Sequence, residues 1–547
     1  MATSCVVRRA NRPGAAAASS APFGSVLATA LVFLAASAAA LGVGGVAQAD
    51  VLRLIYPKAP TSLDPQLHPP DPAAWPVVMT AYRRLFDLKP GTAELDNANS
   101  VAYTYRVSDD GRVYTIVLRE GLTFSDGRPV DTAAALFTFD RLMAGETGRL
   151  YFPRLKSLEV VGPHTFRLIL DAPWPPFLAS LTTPMASLIS PGLAGKPPGH
   201  LDARTLGSGR FEVEAFKSDS LKLRIRPDSP SVPKLDRIEF LFEPDPARRL
   251  ELMDQAQAHL VSGPPQGFAG TENRPLVLTP SCETRFLAFN LVRPYLKLRG
   301  VREALGLLAD AALRAEAPFP VQGFFPTGWV PWAAPAVRPP EELEKRAAEL
   351  LAQMGPSRAP LSLVYRYEDV EGRPDAEKLA AKLREHGLTV NLIALQGAYG
   401  RGILEKADWD LMLDWRRPAL PSPEMWAGGF LDSRASIVGN PAGFSSGEAD
   451  RLIAEFPSPD QQAERVRILR QLERLALEQT PYVMLRLRPA AFVVDRRLEN
   501  LRPHPMWPDV WPLDSVNLDP FKAAPPPALP EPEKVMDFDE PVAEPWE

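Results

Sequence analysis

Cysteine is nearly missing: the 547 residues hold two, Cys5 and Cys282. If the first 49 residues are removed, Cys282 stands alone and no intramolecular disulfide can form. Export is compatible with that, because a core this large needs no covalent staple. Histidine is also sparse, with six scattered along the chain and neither an HExxH nor a close pair. With one thiol, this leaves no dedicated zinc or iron–sulfur site, and no cofactor is expected. Neither GxxxxGK[ST] nor GxGxxG occurs; Gly207-Ser208-Gly209 opens the second pattern, but Arg210-Phe211-Glu212 breaks it. Charge excess is missing too. Basic and acidic residues number 61 and 66, for a net of −5. Residues 50–522 alone carry a net of −2. A near-neutral body lacks the clustered basic face that nucleic acid requires.

What is present divides into three parts. Arg8, Arg9 and Arg12 precede an Ala/Leu/Val-rich run from Val26 to Val46, and Ala47-Gln48-Ala49 stands just before Asp50. That order is the signature of a secretory signal peptide cleaved after Ala49, which predicts a periplasmic protein. An uncleaved anchor is the alternative, since about 20 residues span a bilayer. The Arg8-Arg9 pair raises twin-arginine export, although Val7 and Ala10-Asn11 fit that signal poorly. At the other end, residues 523–547 hold seven prolines and seven acids. Such a tail cannot bury enough surface to offset ordering and is expected to be disordered. Val535, Met536, Phe538 and Trp546 within it could dock another protein.

The body between them is rich enough in apolar residues, 45% of the whole chain, to fold into more than one domain. Strand-like runs include Tyr114–Leu118, Thr165–Leu170, Leu221–Ile225, Arg237–Phe242, Thr284–Asn290, Leu361–Tyr367, Thr389–Leu395 and Trp409–Trp415. Glu341–Met354, Asp375–His386 and Gln461–Glu478 read as helices. Asp375–His386 lies between two strand runs, which predicts a parallel strand–helix–strand unit. The fold class is therefore α/β, in at least two lobes. Gly443-Phe444-Ser445-Ser446-Gly447 matches the GxSxG nucleophile elbow, which keeps a serine hydrolase as a remote alternative. The elbow needs a strand leading in, whereas Val438–Ala442 has loop chemistry; a capped helix start accounts for it better.

Several blocks, in order, resemble the solute-binding proteins of ATP-driven importers, in the family of peptide and nickel receptors. Thr61-Ser62-Leu63-Asp64-Pro65 resembles its opening segment. The longest match runs from Val107-Ser108-Asp109-Asp110-Gly111 through Tyr114-Thr115, Leu118-Arg119-Glu120-Gly121, Phe124, Asp126-Gly127 and Pro129-Val130 to Phe139 and Arg141-Leu142. Leu206–Phe211, Phe286–Asn290, Leu298–Leu305 and Gly443-Phe444 with Ala449–Leu452 follow in family order. The resemblance covers roughly Leu54 to Val516.

It implies a type II-like two-lobed clamshell with an extra domain inserted in the N-terminal lobe. The expected divisions are 50–80, 200–282 and 492–522 for lobe I, 81–199 for the inserted domain and 283–491 for the second lobe. It also implies a non-enzymatic monomer that captures a small peptide-like or anionic solute and delivers it to a membrane permease and its ATPase. The alternative is a non-transporting periplasmic scaffold or sensor on the same fold. The family's peptide receptors place an aspartate after a strand ending in Trp, against the ligand's amino terminus. Here Trp415 is followed by Arg416-Arg417-Pro418, which reverses the charge. A guanidinium fork suits carboxylate or phosphate. The expected ligand-binding residues are Trp415, Arg416, Arg417, Trp329, Asn290 and Trp426, with Trp332 as a further aromatic wall.

Overall fold

Two long strands, Leu276–Phe289 and Tyr482–Val494, organise the computed structural model. It describes residues 51–67, 71–89, 94–195, 207–227, 235–255, 258–315, 317–326, 329–330, 338–354, 359–436, 439–456 and 461–501, with isolated positions between 504 and 518. The expected leader, the acidic tail and Trp332 lie outside the described residues.

The strands in chain order are β1 (Val51–Tyr56), β2 (Ala102–Val107), β3 (Val113–Leu118), β4 (Leu155–Val160) and β5 (Thr165–Leu170). Then come β6 (Phe211–Phe216), β7 (Ser220–Ile225), β8 (Arg237–Phe242), β9 (Leu260–Ser262) and β10 (Leu276–Phe289). β11 (Leu361–Arg366), β12 (Val390–Leu395), β13 (Leu411–Arg416) and β14 (Tyr482–Val494) follow, and a two-residue pair, Leu498–Glu499 with Asn517–Leu518, comes after them. Ten of them form one sheet in the order β12-β11-β13-β10-β14-β9-β1-β8-β7-β6, and β2-β3-β5-β4 form a second.

The first half of β10, from Leu276 to Pro280, pairs with Pro489–Val493 of β14, and Thr284–Ala288 pairs with Tyr482–Leu487. The ladder breaks between Pro280 and Thr284, where Pro280 and Pro489 face each other. Proline has no N–H to give a ladder, so two prolines opposite one another concentrate the lost bonds at a single place. Each side of the break has its own core. Phe492 and Val494 pack with Leu52, Leu54, Phe211 and Phe240, whereas Leu287 and Phe289 pack with Leu363, Leu411 and Leu413. The molecule is thus two-lobed, with β10 and β14 crossing from one lobe to the other.

In the second lobe β11 runs parallel to both β12 and β13. The helix Gly372–Glu385 connects β11 to β12 and buries Ala376, Leu379, Ala380 and Leu383, which is the expected strand–helix–strand unit. The four-stranded sheet is antiparallel and interrupts the first lobe between β1 and β6. Asp131 caps its helix Thr132–Ala144 by accepting from the N–H groups of Ala133 and Ala134. Phe139, Phe166 and Phe124 fill the layer between helix and sheet. Fully burying each such ring contributes about 1.5–3 kcal/mol.

Candidate ligand site

The strands β11, β12 and β13 are parallel, so their C-terminal ends, Arg366, Leu395 and Arg416, reach the same edge of the sheet. In open α/β sheets such an edge is where loops leave room for a ligand. Here it also adjoins the crossing strands, because Thr284 of β10 pairs with Arg416 of β13. The edge and the break in β10 are therefore neighbours.

Trp415 is half-buried at this edge, and three guanidinium groups lie over its ring. Arg488 sits 4.3 Å from the ring centroid, Arg285 5.1 Å and Arg486 5.2 Å. Each such contact contributes about 0.5–2 kcal/mol, more as water is excluded. The arginines are held in turn by carboxylates from the loop and helix after β11. Arg285, fully buried, pairs with Asp369 and with Asp375 at 3.1 Å. Arg486 pairs with Asp375 at 2.8 Å and Glu371 at 2.5 Å, and Arg366 pairs with Asp414 at 2.8 Å. Burial raises the Asp375 carboxyl above the usual carboxylate range, against the pull of Arg285 and Arg486. Glu283, in the break of β10, lies 3.5 Å from Arg488 and 3.7 Å from Arg417.

The six residues expected from sequence do not share this edge. Trp415 and Arg417 are on it, the latter 46% exposed. Arg416 turns inward: its Nη1 donates to Gly439 O at 2.7 Å, and its guanidinium lies 4.1 Å from the Phe430 ring centroid. Burial lowers its pKa. Strand alternation explains the split, since consecutive side chains leave a strand on opposite faces. Trp426 is 2% exposed and donates its indole N–H to Phe324 O at 2.9 Å. Trp329 packs edge-on against it at 6.1 Å. Asn290 is buried with its amide donating to Ala407 O at 3.0 Å and Trp409 O at 2.6 Å. These three residues hold the interior of the second lobe.

Sequence reading missed Arg285, Arg486, Arg488, Glu283, Asp369, Glu371 and Asp375. Arg486 and Arg488 at alternate positions of one strand were a weak signal for a shared face. The acids that meet them come from elements more than a hundred residues away.

The motifs that carried the resemblance prove to be framework. Asp64, with a side chain fully buried, is gripped by Arg141 of the inserted sheet's helix. Arg302 donates to Leu296 O at 2.8 Å and to Gln479 O and Thr480 O, closing the end of the helix Gln462–Gln479. Gly209 donates its N–H to Ala81 O at 2.9 Å, and a Cβ on Gly207 or Gly209 would strike the backbone of residues 80–81. Ser446, beside the false elbow serine Ser445, accepts from Ala449 N and caps the helix Gly447–Ala454. These matches report the fold and leave the ligand open.

The model of the bacterial extracellular solute-binding proteins, family 5, matches residues 98–436. The probable D,D-dipeptide-binding periplasmic protein DdpA of Escherichia coli K12 is 24% identical over 488 residues, 86% of this chain and 94% of that protein. The glutathione-binding protein GsiB of Escherichia coli O6:K15:H31 is 24% identical over 454 residues, 78% of this chain and 86% of that protein. The structure of HbpA2 from Haemophilus parasuis superimposes with a TM-score of 0.77 at 19% identity, covering 86% of this chain and all of the other. With two lobes, an inserted antiparallel sheet and a family match over more than half its length, the chain belongs to family 5 of the bacterial extracellular solute-binding proteins.

Proposed function

We propose that the chain is the solute-binding receptor of an ABC importer, and that it captures a small solute at the edge carrying Trp415 and delivers it to a membrane permease and its ATPase. The observation that carries this reading is the aromatic ring under three arginines beside the break in the crossing strands. Hinge closure of two lobes over such an edge excludes water and strengthens every polar contact inside. The relatives' names support a peptide-like solute, since one is a probable D,D-dipeptide binder and another a glutathione binder. Trp415 and Arg417 keep the role expected from sequence, joined by Arg488 and Glu283, while Arg416 positions the strand end.

The same reading places the leader at 1–49, cleaved after Ala49, and makes the mature protein a periplasmic monomer. It assigns 50–80, 200–282 and 492–522 to lobe I, 81–199 to the inserted domain and 283–491 to the second lobe. The cores that change between Pro280 and Thr284 support the division at 282. Among the described residues no helix is long and apolar enough to cross a membrane. A binding role without chemistry accords with the family's description.

The test is a thermal-unfolding screen of residues 50–547 against peptides, carboxylates, phosphorylated solutes, sugars and nickel. A solute at about 100 times its Kd stabilises the fold by roughly 2.7 kcal/mol. Trp415→Ala is expected to weaken any hit at least tenfold. A hit that binds Trp415→Ala as tightly as the parent would remove this edge as the site.

A further inference from the structure

The helix Trp75–Ala81 turns three faces to three different cores. Val77 packs into the first lobe's core with Leu52, Leu54 and Phe240. Val78 and Ala81 lie in a cluster against which Phe137 packs, on the helix Thr132–Ala144 of the inserted sheet. Trp75 and Met79, four positions apart and so on one face, pack against the core that holds Trp329 and Trp426 in the second lobe.

Two residues near the end of the described chain reach that same core. Trp507 and Val510 are buried members of it, and every other buried member lies between Cys282 and Leu487. Both are anchored from the first lobe. Trp511, next in the chain, packs edge-on against Phe492 at 4.8 Å within the first lobe's core. Trp507 meets Trp75 edge-on at 5.1 Å and stacks on His504 at 4.7 Å, and Val510 N–H donates to Trp507 O at 2.9 Å. The first lobe thus presents an apolar knob built from two separate segments, and the knob is part of the second lobe's core.

We infer that Trp75, Met79, Trp507 and Val510 form a latch that holds the two lobes together before a solute arrives. Rotation of the lobes about the break between Pro280 and Thr284 withdraws these side chains from the second lobe's core and returns apolar surface to water on both sides. That return is unfavourable in proportion to the area, so the closed arrangement is favoured by the protein's own side chains. Ion pairs facing water across a cleft add little to it. Trp329, expected from sequence to touch the ligand, belongs instead to the core that receives the latch. The inference is independent of the Trp415 edge, because no solute takes part in the contact, and its test uses none.

Distances between two nitroxide labels read the latch directly. Lys217, in the turn between β6 and β7, and Lys406, after the helix Gly397–Glu405, are exposed and report one lobe each. Changed to cysteine they take the label, whereas the Cys282 thiol is buried, its pKa pushed up to about 12. Double electron–electron resonance on the chain 50–547, dialysed free of solute, is expected to give one main population at the separation found in the structure. Trp507→Ala should move at least half of that population to other separations, and Trp507→Phe, which keeps a ring, should move far less. A parent chain spread over other separations overturns the inference, as does Trp507→Ala with the parent's distribution. If Trp507→Ala does not fold by circular dichroism, Met79→Ser, at a half-buried position, carries the same comparison with the same expected shift. Failure of both variants to fold also overturns the inference, because these side chains would then hold up the fold itself rather than one arrangement of its lobes.

Discussion

Arg141→Met isolates the ion pair that docks the segment after β1 onto the helix of the inserted sheet. In the structure Arg141 Nη1 donates to Asp64 Oδ1 at 3.0 Å and to Gln66 Oε1 at 2.8 Å, while Nη2 bonds Asp64 Oδ2. The Asp64 side chain is wholly buried and Arg141 is 16% exposed. Methionine keeps the length of the aliphatic stem and removes the charge, so the buried carboxylate loses the guanidinium that faces it and keeps the Gln66 N–H, 2.9 Å away, among its bonds. Stranding one member of such a pair costs about 3–5 kcal/mol. The double variant Asp64→Asn with Arg141→Met strands no charge and should regain about 2 kcal/mol or more of that loss, because replacing both charges of a buried pair is often close to neutral. Urea unfolding followed by tryptophan fluorescence reads both values. A loss below about 1 kcal/mol in Arg141→Met refutes the argument, as does a double variant no more stable than the single one.

Gly207→Ala puts a Cβ into the carbonyl of Ala81, a backbone atom that cannot step aside, and should cost about 1–3 kcal/mol by urea unfolding. A neutral substitution there would show that the turn is not fixed against the helix Trp75–Ala81. His259 is buried, with its Nδ1 accepting from Arg53 N–H at 3.0 Å. Burial, with Arg497 next in weight, pushes its pKa down to about 4 from an ordinary 6.5. The unfolded chain therefore takes up the proton first, so this contribution is complete above pH 6.5 and is lost as pH falls toward 4. The gap between the two values corresponds to about 3 kcal/mol. His259→Asn keeps an acceptor for Arg53 and should flatten the stability profile between pH 6.5 and 4 by that amount; an unaltered slope would show that His259 does not govern it.

How much was legible beforehand differs between scaffold and site. β8 is Arg237–Phe242 and β5 is Thr165–Leu170, as alternation alone indicates, because a half-buried strand writes its two faces into a period of two. The helix Pro340–Met354 begins at its proline punctuation. β14 escaped that reading, and β10 is longer than its expected run from Thr284 to Asn290. Each contains a proline, which locally reads as a strand end. Only their pairing shows that the two prolines face each other across the ladder break. The site was harder still. Arg416 and Arg417 stood out by their charge, yet strand alternation sends one inward to Phe430 and the other outward to Glu283. Trp329, Trp426 and Asn290 drew attention by residue type, and packing placed them in the interior.

The sequence by itself determined the family, the two-lobed α/β plan and the residues that close the framework, because Asp64, Arg141, Arg302 and Gly209 belong to motifs whose order survives in one dimension. Tertiary structure alone decided what surrounds Trp415. Arg285 and Asp369 are 84 positions apart, and Arg488 and Asp369 are 119 apart. No local pattern couples such residues, since their energies arise only when the crossing strands and the β11 loop come within a few ångströms and exclude water. The arrangement at this edge depends on distances between side chains, and those distances exist only in the folded chain.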